Sequence, residues 1–303
     1  MGTFLLVVCV ITAAIQSPLK KIYQNKTGKG VFLFSAMISF VAALFFGVGS
    51  LVGGDVSFEL ALLPYSVGFA VCYGVCIITG VLALGLGSLA LTSLFASYSL
   101  IFPTLYGLLF WDNPVFLSQA IGLVFLLVSL YLTNMGNKKK GDEGEAVQEK
   151  KGFSLKWLVC VILMAVSNGG CAILQQEQQR QFEGAYKNEF MFVALMIVVV
   201  ALLVVVLLRE RKDAGECLRL GAVPAVLTGL CNGLTNLLVM VIANVMIPAF
   251  IFFPIVSAGG LVISYVLSVT CFKERFSTTQ KVGILLGLVA LVLLNLEFVK
   301  IFR

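Results

Sequence analysis

Residues 190–208 read FMFVALMIVVVALLVVVLL, a run with no polar side chain. About 20 apolar residues, wound as a helix, cross the roughly 30 Å hydrocarbon core of a bilayer. A soluble domain has too little interior to hide many such runs. This chain repeats the pattern along its whole length. Apolar spans fall near 3–23, 30–52, 60–83, 87–110, 114–135, 153–175, 188–208, 217–240, 244–271 and 277–298. Hydrophobic residues make up 60% of the 303 and charged residues 12%. Soluble domains carry about 25% charged residues. No span shows the period-two alternation of a barrel strand, and a helix satisfies its own backbone inside lipid. The expected fold is an all-α polytopic membrane protein of ten transmembrane helices, multi-pass in the cytoplasmic membrane.

Residues 136–152 break the pattern. The stretch around them, NMGNKKKGDEGEAVQEKKGF, is charged and without apolar periodicity, as a solvated linker is. It divides the spans into 1–135 and 153–303, five on each side. The halves echo each other. Leu117–Asn134 reads LSQAIGLVFLLVSLYLTN, and Thr278–Asn295 reads TTQKVGILLGLVALVLLN. Gln119, Gly122, Val128 and Asn134 meet Gln280, Gly283, Val289 and Asn295 at a constant offset of 161. Fainter echoes pair Cys9-Val10-Ile11 with Cys160-Val161-Ile162, and Pro64 with Pro224, each read as opening the third span of its half. Duplication of an odd number of spans inverts one copy relative to the other. Inverted repeats around a midplane site are a common transporter plan.

Two five-span repeats, together with Glu274, Thr279-Gln280, Gly283 and Gly287 before the run to Asn295, resemble the drug/metabolite transporter superfamily in its EamA-like branch. Ser118-Gln119, Gly122 and the run to Asn134 are the matching piece in the first half. The resemblance implies a central cavity between the repeats that opens to either side in turn. It also implies peripheral packing of spans five and ten, often at a subunit contact, so a homodimer is a possible assembly. Gly283-x-x-x-Gly287 suits close helix packing.

Polar residues within the spans fall on faces spaced three or four apart. Thr228, Asn232, Thr235 and Asn236 share a face of span eight, with Asn244 placed at the start of span nine. Span six carries Ser167, Asn168 and Cys171, continuing to Gln175, and span nine carries Ser257, Gly260, Ser264 and Ser268. Tyr73 lies in span three, Ser93, Ser97 and Tyr98 in span four, and Gln16 just before Pro18 in span one. Asn168, Asn232, Asn236, Tyr73, Tyr98, Ser97, Gln16, Gln175, Asn244 and Ser257 are the candidate substrate-binding residues. A carboxamide offers two donors and two acceptor sites, more than packing requires. The competing reading is that Ser and Thr bond their own helices and small residues permit packing.

The absences narrow the function. No Asp, Glu, Lys or Arg falls in the middle of a span as bounded above, so a neutral or zwitterionic, amino-acid-like solute suits the cavity better than a cation. The chain has no His and no paired metal spacing among its eight Cys, which disfavours an enzyme, a metal or a cofactor. Cys72 and Cys76 can share a helix face as small buried side chains. No GxxxxGK[ST] motif for an ATP-driven pump occurs. The net charge of +6 sits in short clusters between spans, as topology determinants do, and does not signal nucleic acid. The partners expected are a small-molecule substrate and the lipid bilayer. The leading expectation is a secondary transporter, with a multidrug exporter, which 24 Phe would permit, as the alternative. The two guides to orientation disagree. Lys20, Lys21, Lys138, Lys139 and Arg209 lie on the more basic side, facing Arg180, Lys187, Lys300 and Arg303 on the other. The positive-inside rule places the linker in the cytoplasm and both termini outside, whereas the resemblance implies both termini inside.

Overall fold

The computed structural model describes residues 2–53, 59–110, 115–135, 154–245, 249–294 and 300–302. The linker 136–152, Asp112 and Asn295 lie outside them. The described chain is almost entirely helical. Its helices are α1 (Gly2–Thr27), α2 (Val31–Gly53), α3 (Leu63–Leu86), α4 (Leu89–Ser97), α5 (Ile101–Phe110), α6 (Leu117–Met135), α7 (Leu155–Gln181), α8 (Lys187–Arg209), α9 (Ala214–Val245), α10 (Ala249–Thr270) and α11 (Thr278–Leu294). A 3-10 turn at Tyr98–Leu100 joins α4 to α5. The exception is a short antiparallel pair, β1 (Val115–Phe116) with β2 (Lys300–Phe302). Among the described residues, seven helical segments are long and apolar enough to cross a membrane, and three shorter apolar helices accompany them.

The molecule is apolar outside and partly polar inside. Phe4, Val7, Ile11 and Ile15 form an exposed stripe along α1, and Phe40, Leu44 and Val48 do the same on α2. Spacing of three and four puts each set on one helix face. Meanwhile Ser35, Ser39, Ser66, Gln178 and Thr228 are fully buried. This arrangement suits lipid and not water. The chain is a multi-pass membrane protein.

Helices from the two sides of the linker interleave. α1 packs on α9 and α10, α2 on α8 and α9, α3 on α7 and α8, α4 and α5 on α7, and α6 on α11. One apolar core gathers Phe34, Phe46, Phe69 and Phe190 from α2, α3 and α8. A second gathers Leu94, Trp157, Ile284 and Leu291 from α4, α7 and α11.

Gln119 and Gln280 do the same job in each half. Gln119 Oε1 accepts from Phe116 N–H at 3.3 Å, and Gln280 Oε1 accepts from Ser277 N–H at 3.0 Å. Each Gln reaches back from the third residue of its helix to cap the N-terminus, and in α11 the cap is reciprocal, with Gln280 N–H donating to Ser277 Oγ. The α6–α11 contact runs through Gly283 and Gly287. A Cβ on Gly283 would come within 3.2 Å of the Ser129 carbonyl oxygen and 2.7 Å of Thr133 Cγ2.

Three boundaries differ from the sequence reading. α1 does not stop near residue 23 but continues to Thr27, so Lys20 and Lys21, counted above with the basic side of the membrane, lie more than a turn before its end. Pro224 lies within α9 rather than opening a span, whereas Pro64 does sit in the first turn of α3. Asn244 belongs to the end of α9, not to the start of the next helix.

Candidate functional site

α9 crosses the middle of the molecule with Asn232, Thr235 and Asn236 on one face, all half-buried. Spacings of three and four make that face continuous. α1 presents Thr12 and Gln16 to it. Asn232 Nδ2 donates to Gln16 Oε1 at 3.1 Å, and Gln16 Nε2 donates to Thr235 Oγ1 at 3.2 Å. Thr235 Oγ1 donates to Thr12 Oγ1 at 2.9 Å. From α3, the buried Tyr73 donates its hydroxyl to Asn232 Oδ1 at 3.1 Å. From α7, the buried Gln175 donates through Nε2 to Asn236 Oδ1 at 3.0 Å. Asn236 Nδ2 in turn donates to the Asn232 carbonyl at 2.9 Å. Five of the ten candidate residues, Gln16, Tyr73, Gln175, Asn232 and Asn236, thus form one connected network across four helices.

A second polar group lies beside it. Asn168, exposed although mid-way along α7, donates through Nδ2 to Ser99 Oγ at 2.7 Å. Cys76 Sγ, one turn from Tyr73 on α3, donates to Asn168 Oδ1 at 3.9 Å. Ser99 reaches Asn168 because α4 ends in the 3-10 turn. Pro103 in the first turn of α5 has no N–H with which to continue the α4 ladder.

The same turn sends Tyr98 elsewhere. Tyr98 OH and Ser129 Oγ share a 2.6 Å hydrogen bond, and Ser129 Oγ donates to the Gly283 carbonyl. Tyr98 therefore belongs to the α4–α6–α11 packing. Ser97 Oγ donates to the Ser93 carbonyl of its own helix at 3.0 Å. Ser257 is half-buried on α10 without a hydrogen bond to the network. The Asn244 side chain lies outside the described structure. Sequence reasoning passed over Thr12 and Ser99. Thr12 was legible as the residue four before Gln16; Ser99 depended on the turn.

Sequence reasoning also missed an ion pair. Lys21 of α1 bonds Glu274, which lies between α10 and α11, and also donates to the Gly87 carbonyl at 3.0 Å. Ser268 Oγ donates to the same carboxylate. Leu89 N–H, at the first turn of α4, donates to both Glu274 oxygens at 3.0 Å. A carboxylate at a helix N-terminus answers both the orphan N–H and the helix dipole. Glu274 thereby ties α1, α4 and α10 together at one end of the molecule. The last small residue of the Ser257–Ser268 stripe serves this junction.

Chemically, the network offers amides, hydroxyls and a phenol. These groups donate and accept hydrogen bonds, and several amide hydrogens and lone pairs are left over. Among the described residues no three His, Cys, Asp or Glu side chains converge as metal ligands would.

No family model matches the sequence, and no curated protein matches it. Twenty-six solved protein chains are similar to it. One, described only as a crystal structure of a protein, superposes with a TM-score of 0.60 at 13% identity, over 95% of this chain and 94% of its own. At that identity the likeness shows the fold alone, and it extends over nearly the whole chain.

Proposed function

We propose that this chain is a secondary transporter of a small polar organic solute, neutral or zwitterionic, bound between two inverted five-helix repeats. The observation that carries the reading is the network of Gln16, Tyr73, Gln175, Asn232 and Asn236. It joins α1 and α3 from before the linker to α7 and α9 from after it, and Asn232 and Asn236 remain partly accessible within it. Polar groups in a membrane interior are costly and mark solute paths.

The packing supports the repeat. Taking α4 and α5 as one column gives five columns on each side of the linker. Exchanging each column with the one five places along turns the α1–α9 contact into α7–α3, and α2–α9 into α8–α3. It turns α1–α10 into the contact of α7 with α4 and α5, and leaves α2–α8, α4–α10 and α6–α11 unchanged. All of these contacts are made. The matched caps of Gln119 and Gln280 obey the same exchange. A carrier of the drug/metabolite transporter kind has this plan, and a midplane site at a repeat interface suits alternating access. The amide-rich lining favours a hydrogen-bonding solute over the lipophilic compounds of a multidrug exporter.

The test is solute exchange in reconstituted vesicles. Saturable exchange of a small polar solute is expected, with Asn232→Ala and Asn236→Ala each lowering apparent affinity by about tenfold. Exchange unaffected by both substitutions would place the solute elsewhere, and a preference for lipophilic cations would overturn the solute class.

A further inference from the structure

Two adjacent lysines lie in the last two turns of α1, and they meet different fates. Lys21 pairs with Glu274. Lys20 is half-buried, and among the described residues no carboxylate pairs with it. It is four residues beyond Gln16, which is four beyond Thr12, so all three share one face of the helix. Lys20 stands about 6 Å along the axis from Gln16. Lys20 lies near enough to Cys76, near the middle of α3, for a charge on either to be felt by the other, and Cys76 bonds Asn168.

A lysine close to a helix end commonly snorkels to the nearer membrane surface. For Lys20 that surface lies beyond Thr27. Helical side chains lean the other way, toward the N-terminus, so a half-buried Lys20 on the face of Gln16 leans toward the network, and its proximity to Cys76 agrees. An ammonium directed into a polar interior with no carboxylate beside it is an unbalanced charge. The remaining groups there are neutral amides and hydroxyls, which solvate charge and do not cancel it.

We propose that Lys20 is the anion-binding group of this site, and that the solute carried there bears one carboxylate. The inference rests on the carrier reading above. It commits to a carboxylate because a single ammonium, with neutral neighbours, balances one negative charge; a phosphate dianion would leave charge uncompensated. The amide network then serves the polar remainder of the solute. For an amino-acid-like zwitterion, Lys20 would take the carboxylate, and the Tyr73 ring and the amide oxygens would face the ammonium.

The experiment is ligand stabilisation of the purified protein, followed by exchange in vesicles. The probes are small zwitterionic amino acids, each beside its own carboxamide, such as leucine with leucinamide and phenylalanine with phenylalaninamide. The expected result is stabilisation by one or more carboxylates and not by the matched amides. Lys20→Met should weaken that binding about tenfold or more, and Lys20→Arg should retain most of it. Without ligand, Lys20→Met should melt no lower than the wild type, because an unbalanced charge has been removed. Equal stabilisation by acid and amide would overturn the inference. So would binding that survives Lys20→Met but fails in Asn232→Ala, although the carrier reading would stand. A large loss of ligand-free stability in Lys20→Met would make Lys20 a structural residue and overturn it too. Absence of binding and exchange for every probe would end both.

Discussion

Removing either member of the Lys21–Glu274 pair gives the sharpest test of the packing described above. Lys21→Met leaves Glu274 with Leu89 N–H and Ser268 Oγ but no cation. Glu274→Gln leaves the Lys21 ammonium facing the Gly87 carbonyl and the ring of Phe272, 5.4 Å away. The two side chains are only 8% and 15% exposed, so solvent screens the residual charge poorly. Breaking a buried pair by removing one partner costs about 3–5 kcal/mol. At about 2 °C per kcal/mol for a chain of this size, each single substitution should lower the melting temperature by roughly 6–10 °C. The double substitution Lys21→Met/Glu274→Gln should cost less than the sum, with a coupling of about 2 kcal/mol. Thermal unfolding of detergent-solubilised protein, read by intrinsic fluorescence, measures all four corners of the cycle. The exposed pair Lys29–Asp213, at 3.4 Å with side chains 65% and 43% exposed, is the internal control. Lys29→Met should cost no more than about 0.5 kcal/mol. Single substitutions at Lys21 and Glu274 that match the control, or costs that simply add, would refute the junction.

Two further outcomes separate scaffold from site. Tyr98→Phe should cost about 1 kcal/mol of stability through the lost Ser129 bond while leaving solute affinity unchanged, whereas Tyr73→Phe should weaken solute binding; parallel melting and binding measurements distinguish them. Gly283→Val should destabilise by about 1–3 kcal/mol, because its side chain meets the Ser129 carbonyl and Thr133 of α6; an unchanged melting temperature would contradict the α6–α11 contact.

The helical, multi-pass character was legible because apolar runs of membrane length are hard to read otherwise. The internal echo was legible because Gln119 and Gln280 cap their helices in the same way, so the register was kept at a position that does work. The end of α1 was not legible. The charge count sets Lys20 and Lys21 among the basic residues at the membrane surface, yet Lys21 finds a carboxylate 253 residues away and Lys20 shares the helix face of Gln16. A long-range partner leaves no mark on local composition. The face of Asn232 and Asn236 could be read from helical spacing alone. Its meeting with Gln16, Tyr73 and Gln175 follows from how four helices cross, which spacing does not contain. Tyr98 and Ser99 show the limit most clearly. A 3-10 turn ahead of Pro103 gives Tyr98 to the scaffold and Ser99 to Asn168.

The central claim is that one site, built on Asn232 and Asn236, serves both sides of the membrane in turn. Trans-stimulation tests it most directly. Vesicles holding the protein are loaded with the unlabelled solute that stabilises it best, and uptake of the labelled solute is timed. A carrier predicts faster uptake into loaded vesicles than into empty ones, saturating with internal solute and lost in Asn236→Ala. Uptake that rises linearly with external solute and ignores what is inside would contradict the account and mark a pore.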